Sequence, residues 1–203
     1  MIGPVYVVTD PDAPTPVIEQ ARAAARGGAW AVQLRDKTAS DAALHALAAE
    51  LLPEMEALGV RLIVNDRIEV ALSAGAHGLH IGQGDGDPGR ARERLGPGRI
   101  LGLSVETPEQ ALLVPICVDY IGAGPVRATA TKPDHAPPIG MAGLALIAAR
   151  VAVPTIAIGG LGLGDAAALK DAGAAGLAVV TAVTRAADPE SATRALVREW
   201  RSA

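Results

Sequence analysis

The sequence predicts an α/β protein folded as a single (β/α)8 TIM barrel. Short apolar runs alternate strictly with longer Ala/Leu-rich stretches of helical period, polar residues gather just after the apolar runs, and neither a linker nor a low-complexity tract interrupts the order. An open doubly wound sheet would give the same alternation and stands as the other architecture. At 203 residues the chain is short for a barrel, so its connections must be tight. Residues 1–203 are read as one catalytic domain.

The elements follow in order. The run Val5-Tyr6-Val7-Val8-Thr9 is the first strand, 5–9, and a helix over 16–26 follows it. A second strand at 30–35 leads into the longest helix, 40–58, with Ser40 and Asp41 as cap chemistry before it and Gly59 after its end. Strands at 62–65 and 78–81 precede helices at 68–74 and 89–95. The fifth and sixth strands, 100–104 and 118–122, precede helices at 108–112 and 143–150. The last two, 155–158 and 176–180, precede helices at 165–172 and 189–200. Residues 127–141, rich in Thr, Pro and charge, form the longest segment without a period, and a loop of that length in a compact domain is usually functional.

Composition excludes several classes. Half of the residues are hydrophobic but only 2% are aromatic, with no Phe, so the core is expected to be aliphatic. A net charge of −4 and a pI near 5.5 give no basic face for nucleic acid. No apolar stretch reaches membrane-spanning length. The opening residues show no basic, then apolar, cleavable segment, and one cysteine, Cys117, cannot form an internal disulfide; both suit a cytoplasmic protein without a signal peptide. Cys117 is read as structural, and self-association into a homo-oligomer is left open.

Chemistry concentrates at the strand ends. Gln33, Arg35 and Lys37 occupy alternate positions, which an extended strand sends to one face, and two cations with an amide there call for a bound phosphate or diphosphate. Asn65 and Asp66 follow the third strand, Gln83 and Asp85 the fourth, Ser104 the fifth, Lys132 the sixth and Thr181 the eighth. In a barrel these carboxyl ends form one ring. Asp66 and Asp85 on adjacent strands suit a shared Mg2+ completed by substrate phosphates and water. Strict alternation would not send Asn65 and Asp66 the same way, so the chain must turn there, with Asn65 left to bond substrate. Each carboxylate also has a plainer reading: Asp66 suits the N-cap of the next helix, and Asp85, within Gly84-Asp85-Gly86-Asp87, suits a turn. Gly159 and Gly160 after the seventh strand, with Val180 and Thr181 after the eighth, would let backbone N–H groups approach a second phosphate. His80, mid-strand with no acidic neighbour, is read as a packed interior residue.

The successive strings YVVTD, VQLRDK, LIVNDRIEVAL, GLHIGQGD, ILGLSVE, DYIGAGPVRATATKPD, VPTIAIGGL and GLAVVTAV resemble, in order and spacing, the blocks of the thiamine phosphate synthase family. That resemblance implies a (β/α)8 barrel that joins a hydroxymethylpyrimidine diphosphate to a thiazole phosphate with Mg2+ and releases pyrophosphate. By position, Gln33, Arg35, Lys37, Asn65 and Lys132 resemble the family's diphosphate-substrate contacts, and Ser104 the residue near the ring. Asp66 and Asp85 match its magnesium ligands, and Thr129, Thr131, Gly160, Val180 and Thr181 its thiazole phosphate contacts. The implied catalytic set is Arg35, Lys37, Ser104 and Lys132. Departures fall at Arg127, where an aromatic or apolar residue is frequent, at Gly84, where an acid is common, and at His77, where Asp is usual; Thr181 replaces a frequent Ser and keeps the hydroxyl. Arg127 is expected to alter the loop over the site or the choice of thiazole partner. Whether the thiazole substrate is carboxylated stays open. So do three other readings: a thiazole tautomerase on the same barrel, another phosphosugar enzyme, and a non-enzymatic phosphate-binding barrel.

Overall fold

In the computed structural model, which describes residues 2–129, 131 and 136–203, eight parallel strands close on themselves in sequence order. They are β1 (Val5–Val8), β2 (Ala31–Leu34), β3 (Arg61–Asn65), β4 (Gly78–Ile81), β5 (Ile100–Val105), β6 (Tyr120–Ala123), β7 (Thr155–Ile158) and β8 (Gly176–Val179). The helices between and after them are α1 (Val17–Arg26), α2 (Asp41–Leu58), α3 (Ile68–Ser73), α4 (Pro88–Leu95), α5 (Pro108–Ala111), α6 (Gly140–Ala148), α7 (Ala166–Asp171), α8 (Thr181–Thr184) and α9 (Pro189–Ser202). Closure is made by β1, where Tyr6 pairs with Ala31 of β2 on one side and with Ala178 of β8 on the other. The strands are buried on both faces, which is why they read as largely apolar runs and not as alternating ones, with Gln33 in β2 and His80 in β4 as polar members. As expected, Ser40 caps α2 by accepting from the Ala43 N–H at 3.2 Å, and Gly59 ends it at φ 69°. Such a cap contributes about 1 kcal/mol.

Two cores result, and one of them corrects the expectation of a wholly aliphatic interior. Between strands and helices lies an aliphatic shell of residues such as Leu51, Leu62, Leu101 and Leu144, each fully buried. Inside the barrel a smaller cluster is built around Tyr6 and Tyr120 with Ile63 and Ile156, and Trp30 packs against it. The rings of Tyr6, Trp30 and Tyr120 meet edge to face, with centroids 5.8, 5.9 and 6.0 Å apart. A small barrel offers few inward positions, and an aromatic ring fills the most space from each. Gly102 makes the fit possible. A Cβ there would lie 2.2 Å from the Tyr120 ring and 2.5 Å from His80 Nδ1.

Other expected boundaries shift for local reasons. β2 stops at Leu34, and the Arg35 N–H bonds to the Thr9 hydroxyl at 3.1 Å, so Arg35 and Lys37 stand on the loop after the strand and not on its face. β6 starts at Tyr120, not 118, because Asp119 turns its carboxylate to the Leu101 N–H at 2.7 Å. α6 begins at Gly140, three residues earlier than the period suggested. α8 was not expected: four residues are too few to display a helical period. No helix among the described residues is long and apolar enough to cross a membrane.

Candidate active site

The carboxyl ends of the strands surround a cavity of about 480 Å3. Its floor is polar where the aromatic cluster ends. Gln33, 4% exposed, donates from Nε2 to the Tyr6 hydroxyl at 2.9 Å. Tyr6 and Tyr120 hydroxyls are 2.9 Å apart, Tyr120 is 2.9 Å from His80 Nδ1, and His80 Nε2 is 3.0 Å from the Ser104 hydroxyl. Burial raises both tyrosine pKa values and pushes His80 down to about 4, against a smaller upward pull from the Asp85 charge. His80 is the packed interior residue expected of it; burial keeps it neutral, and it is also part of the cavity floor.

One wall is built of charged side chains. Arg35 and Lys37 line it, and among the described residues neither is ion-paired with a carboxylate. Arg67 braces their loop by donating to the Ala39 carbonyl at 2.5 Å and the Asp36 carbonyl at 3.1 Å. At the end of β3 the chain turns as required: Asp66 has φ 52°, a left-handed conformation that few side chains adopt. There its Oδ2 accepts from Asn65 Nδ2 at 2.8 Å. The turn sets Asp66 back from the cavity wall, which Asn65 lines. The capping alternative falls away, since Arg67 occupies the N-cap of α3 and makes no side-chain cap bond. Burial, then the nearby Asp85 charge, raises the pKa of Asp66, while Lys37, Arg67 and Arg35 lower it. Asp85 does serve its turn, accepting from the Gly82 N–H through Oδ2 at 2.7 Å, and it also lines the cavity.

The opposite wall is backbone. Gly159 and Gly160 follow β7 at φ 103° and 63°, and a Cβ on Gly160 would sit 2.8 Å from the Arg127 Cβ and 2.9 Å from the Ala128 carbonyl oxygen. Only glycine fits both the dihedral and the space. Val180 and Thr181, where β8 passes into α8, complete this wall, and Thr129 and Thr131 join it with hydroxyls 2.9 Å apart. Arg127, expected to alter the loop over the site or the choice of thiazole partner, does not line the cavity. Its guanidinium turns outward to Asp165 at 2.7 Å and to the Gly160 carbonyl at 3.2 Å.

The structure thus gathers Gln33, Arg35, Lys37, Asn65, Asp85 and Ser104 around one cavity with Thr129, Thr131, Gly160, Val180 and Thr181. Lys132 lies outside the described residues. Sequence reasoning missed Tyr6, Tyr120 and Arg67. Both tyrosines sit in apolar runs, and only their facing positions inside a closed barrel reveal the hydroxyl contact. Among the described residues no group of three or more His, Cys, Asp or Glu side chains could hold a metal alone.

Comparison with known proteins places this arrangement. A family model described as Thiamine monophosphate synthase matches residues 5–183. The chain is 48% identical over 197 residues to a thiamine-phosphate synthase of Roseiflexus castenholzii, covering 96% of this chain and 86% of that one. A thiamine-phosphate synthase of Xanthobacter autotrophicus is 46% identical over 194 residues, 94% of this chain and 92% of its own. Among solved structures, thiamine phosphate pyrophosphorylase from Pyrococcus furiosus superposes with a TM-score of 0.89 at 34% identity, over 98% of this chain and 96% of that one.

Proposed function

Because this chain belongs to the thiamine monophosphate synthase family, we propose that it is a transferase joining an aminopyrimidine diphosphate to a thiazole phosphate, all within the one cavity of a single catalytic domain. The observation that carries the reading is the pair of unlike anion walls facing each other: charged side chains at the ends of β2 to β4, and glycine backbone with a threonine at the ends of β7 and β8. Two phosphorylated substrates need two such sites. We assign the diphosphate to Arg35, Lys37 and Lys132, the pyrimidine ring to Gln33, Asn65 and Ser104, and the thiazole phosphate to Gly160, Val180, Thr181, Thr129 and Thr131.

The carboxylates fit Mg2+. Asp66 and Asp85 are close enough for their charges to repel; Asp85 keeps Oδ1 outside the bond from Gly82, and Asp66 Oδ1, outside the bond from Asn65, lies 3.7 Å from Arg67 Nε. Two carboxylates with the remaining ligands from phosphate and water is the usual arrangement for this ion. When bound, Mg2+ would supply charge neutralisation on the diphosphate. Arg35, Lys37 and Lys132 stabilise charge on the departing pyrophosphate, and preorganised cations do so best where water is excluded. As the C–O bond breaks, its electrons leave with pyrophosphate and the electron-rich aminopyrimidine carries the positive methylene. The thiazole nitrogen donates its lone pair to that carbon. No protein nucleophile or general base is required, only alignment of the two rings.

A cytoplasmic setting suits the single cysteine. The test is pyrophosphate release from purified protein given both substrates and Mg2+, with chelation as control. Release that needs both substrates and the metal supports the reading. No release overturns it, and proton exchange on the thiazole without metal replaces it with the tautomerase.

A further inference from the structure

Beneath the cavity, four hydrogen bonds run in series from β2 through β1, β6 and β4 to β5: Gln33 to Tyr6, Tyr6 to Tyr120, Tyr120 to His80 and His80 to Ser104, at 2.9, 2.9, 2.9 and 3.0 Å. A tyrosine hydroxyl has one hydrogen and two lone pairs, and a buried hydrogen without an acceptor is costly, so with every hydrogen paired a bond donated at one end decides every later one. Gln33 donates through Nε2, and Tyr6 must then give its proton to Tyr120, and Tyr120 its proton to His80 Nδ1. The His80 side chain is buried and neither ring nitrogen meets a carboxylate, so the neutral imidazole has one N–H. With Nδ1 accepting, that N–H is on Nε2 and points at Ser104 Oγ. Ser104 accepts it, and its own hydrogen is left for the cavity that it lines.

We propose that Tyr6, Tyr120 and His80 are positioning residues: they form a one-way hydrogen-bond relay that fixes His80 as the Nε2–H tautomer and presents the Ser104 hydroxyl as a donor to an acceptor atom of the pyrimidine ring. The identity of that ring rests on the synthase reading; the direction of the relay does not. Gly102 belongs to the device, since a Cβ there would strike both the Tyr120 hydroxyl and His80 Nδ1, at 2.4 and 2.5 Å. The relay also explains why hydroxyls sit at the bottom of an otherwise apolar barrel: each has a partner on both sides, so none is buried unsatisfied.

The tautomer can be read directly in 15N-labelled full-length protein by long-range 1H–15N correlation of the histidine rings, with His80 assigned through its backbone. The relay requires Nε2–H; an Nδ1–H signal overturns it. In Gln33→Glu, at a pH where the 13C shift of the new carboxyl shows it ionised, the carboxylate can only accept, so Tyr6 donates to it and the whole series reverses, giving Nδ1–H at His80. An unchanged tautomer there means the residues are not linked and overturns the relay. The consequence for substrate is read in Tyr120→Phe, where His80 Nδ1 loses its donor. KM for the pyrimidine diphosphate then rises about tenfold, as for one lost hydrogen bond, with kcat changing less. An unchanged KM removes the role assigned to Ser104 while leaving the synthase activity standing. Failure of the synthase reading would show separately, as no pyrophosphate from the wild-type protein.

Discussion

On one side of the cavity Arg35 and Lys37 reach in from the loop after β2, held in place by Arg67 behind them; on the other, Gly159 and Gly160 offer backbone at left-handed dihedrals that no other residue suits. The first wall brings full charges on long side chains, and the second brings fixed dipoles with nothing to reposition. A leaving diphosphate gains charge as the reaction proceeds, and interactions that strengthen in the transition state are the ones that raise kcat. A phosphate that stays bound throughout needs only anchoring. On the proposed assignment, the two walls differ in the way their two anions differ.

Substitutions can break that contrast, and the largest effect is expected at Asp85. Asp85→Asn keeps an oxygen for the Gly82 N–H but removes the charge, so turnover with Mg2+ should fall about a thousandfold while the melting temperature holds. An unchanged rate at saturating metal would take Asp85 out of the site. Arg35→Ala should lower kcat by about a hundredfold and leave KM for thiazole phosphate alone, because the Arg35 backbone still bonds to Thr9. A loss confined to KM would make the first wall an anchor like the second. Gly160→Ala should do the opposite. It should raise KM for thiazole phosphate about tenfold with little change in kcat, and lower stability by about 1–3 kcal/mol in urea unfolding, because φ 63° and the Arg127 contact both oppose a Cβ. Salt sharpens the comparison without mutation. Between about 0.05 and 0.5 M, KM should rise more for the diphosphate than for the thiazole phosphate, since exposed charges are screened and fixed N–H groups are not.

The smallest effect lies behind the glycine wall. The Arg127 guanidinium holds the Asp165 carboxyl below its usual value of 3.8. A depressed carboxyl contributes stability above its unfolded pKa and loses it as pH falls through the folded one. Arg127→Ala should therefore cost under about 1 kcal/mol at pH 7 with kcat unchanged, and the difference should vanish toward pH 2. Unfolding at the two pH values measures this.

Legibility followed the same physics. The strands could be read because burial on both faces leaves few polar interruptions, and the cap at Ser40 and the forced turn at Asp66 could be read because each depends on neighbours in sequence. The end of β2 and the start of β6 could not, because the Thr9 hydroxyl and the Asp119 carboxylate that set them act between neighbouring strands far apart in sequence. The four residues of α8 carry no pattern. The aromatic floor hid within a low aromatic count: the sequence holds few rings, yet most of them stand in one place.

Barrel closure also sets the order in which this molecule can come into being. Val5 pairs with Leu177, so the seam joins residues near opposite ends of the chain, and the cost of bringing them together precedes any reward from their contact. During synthesis β1 emerges first and waits, one edge bare, until β8 has been made. Thr181 lies only two residues beyond β8. The glycine wall is thus finished almost at the moment the seam shuts, and a nascent chain has no cavity in which to hold either substrate before then.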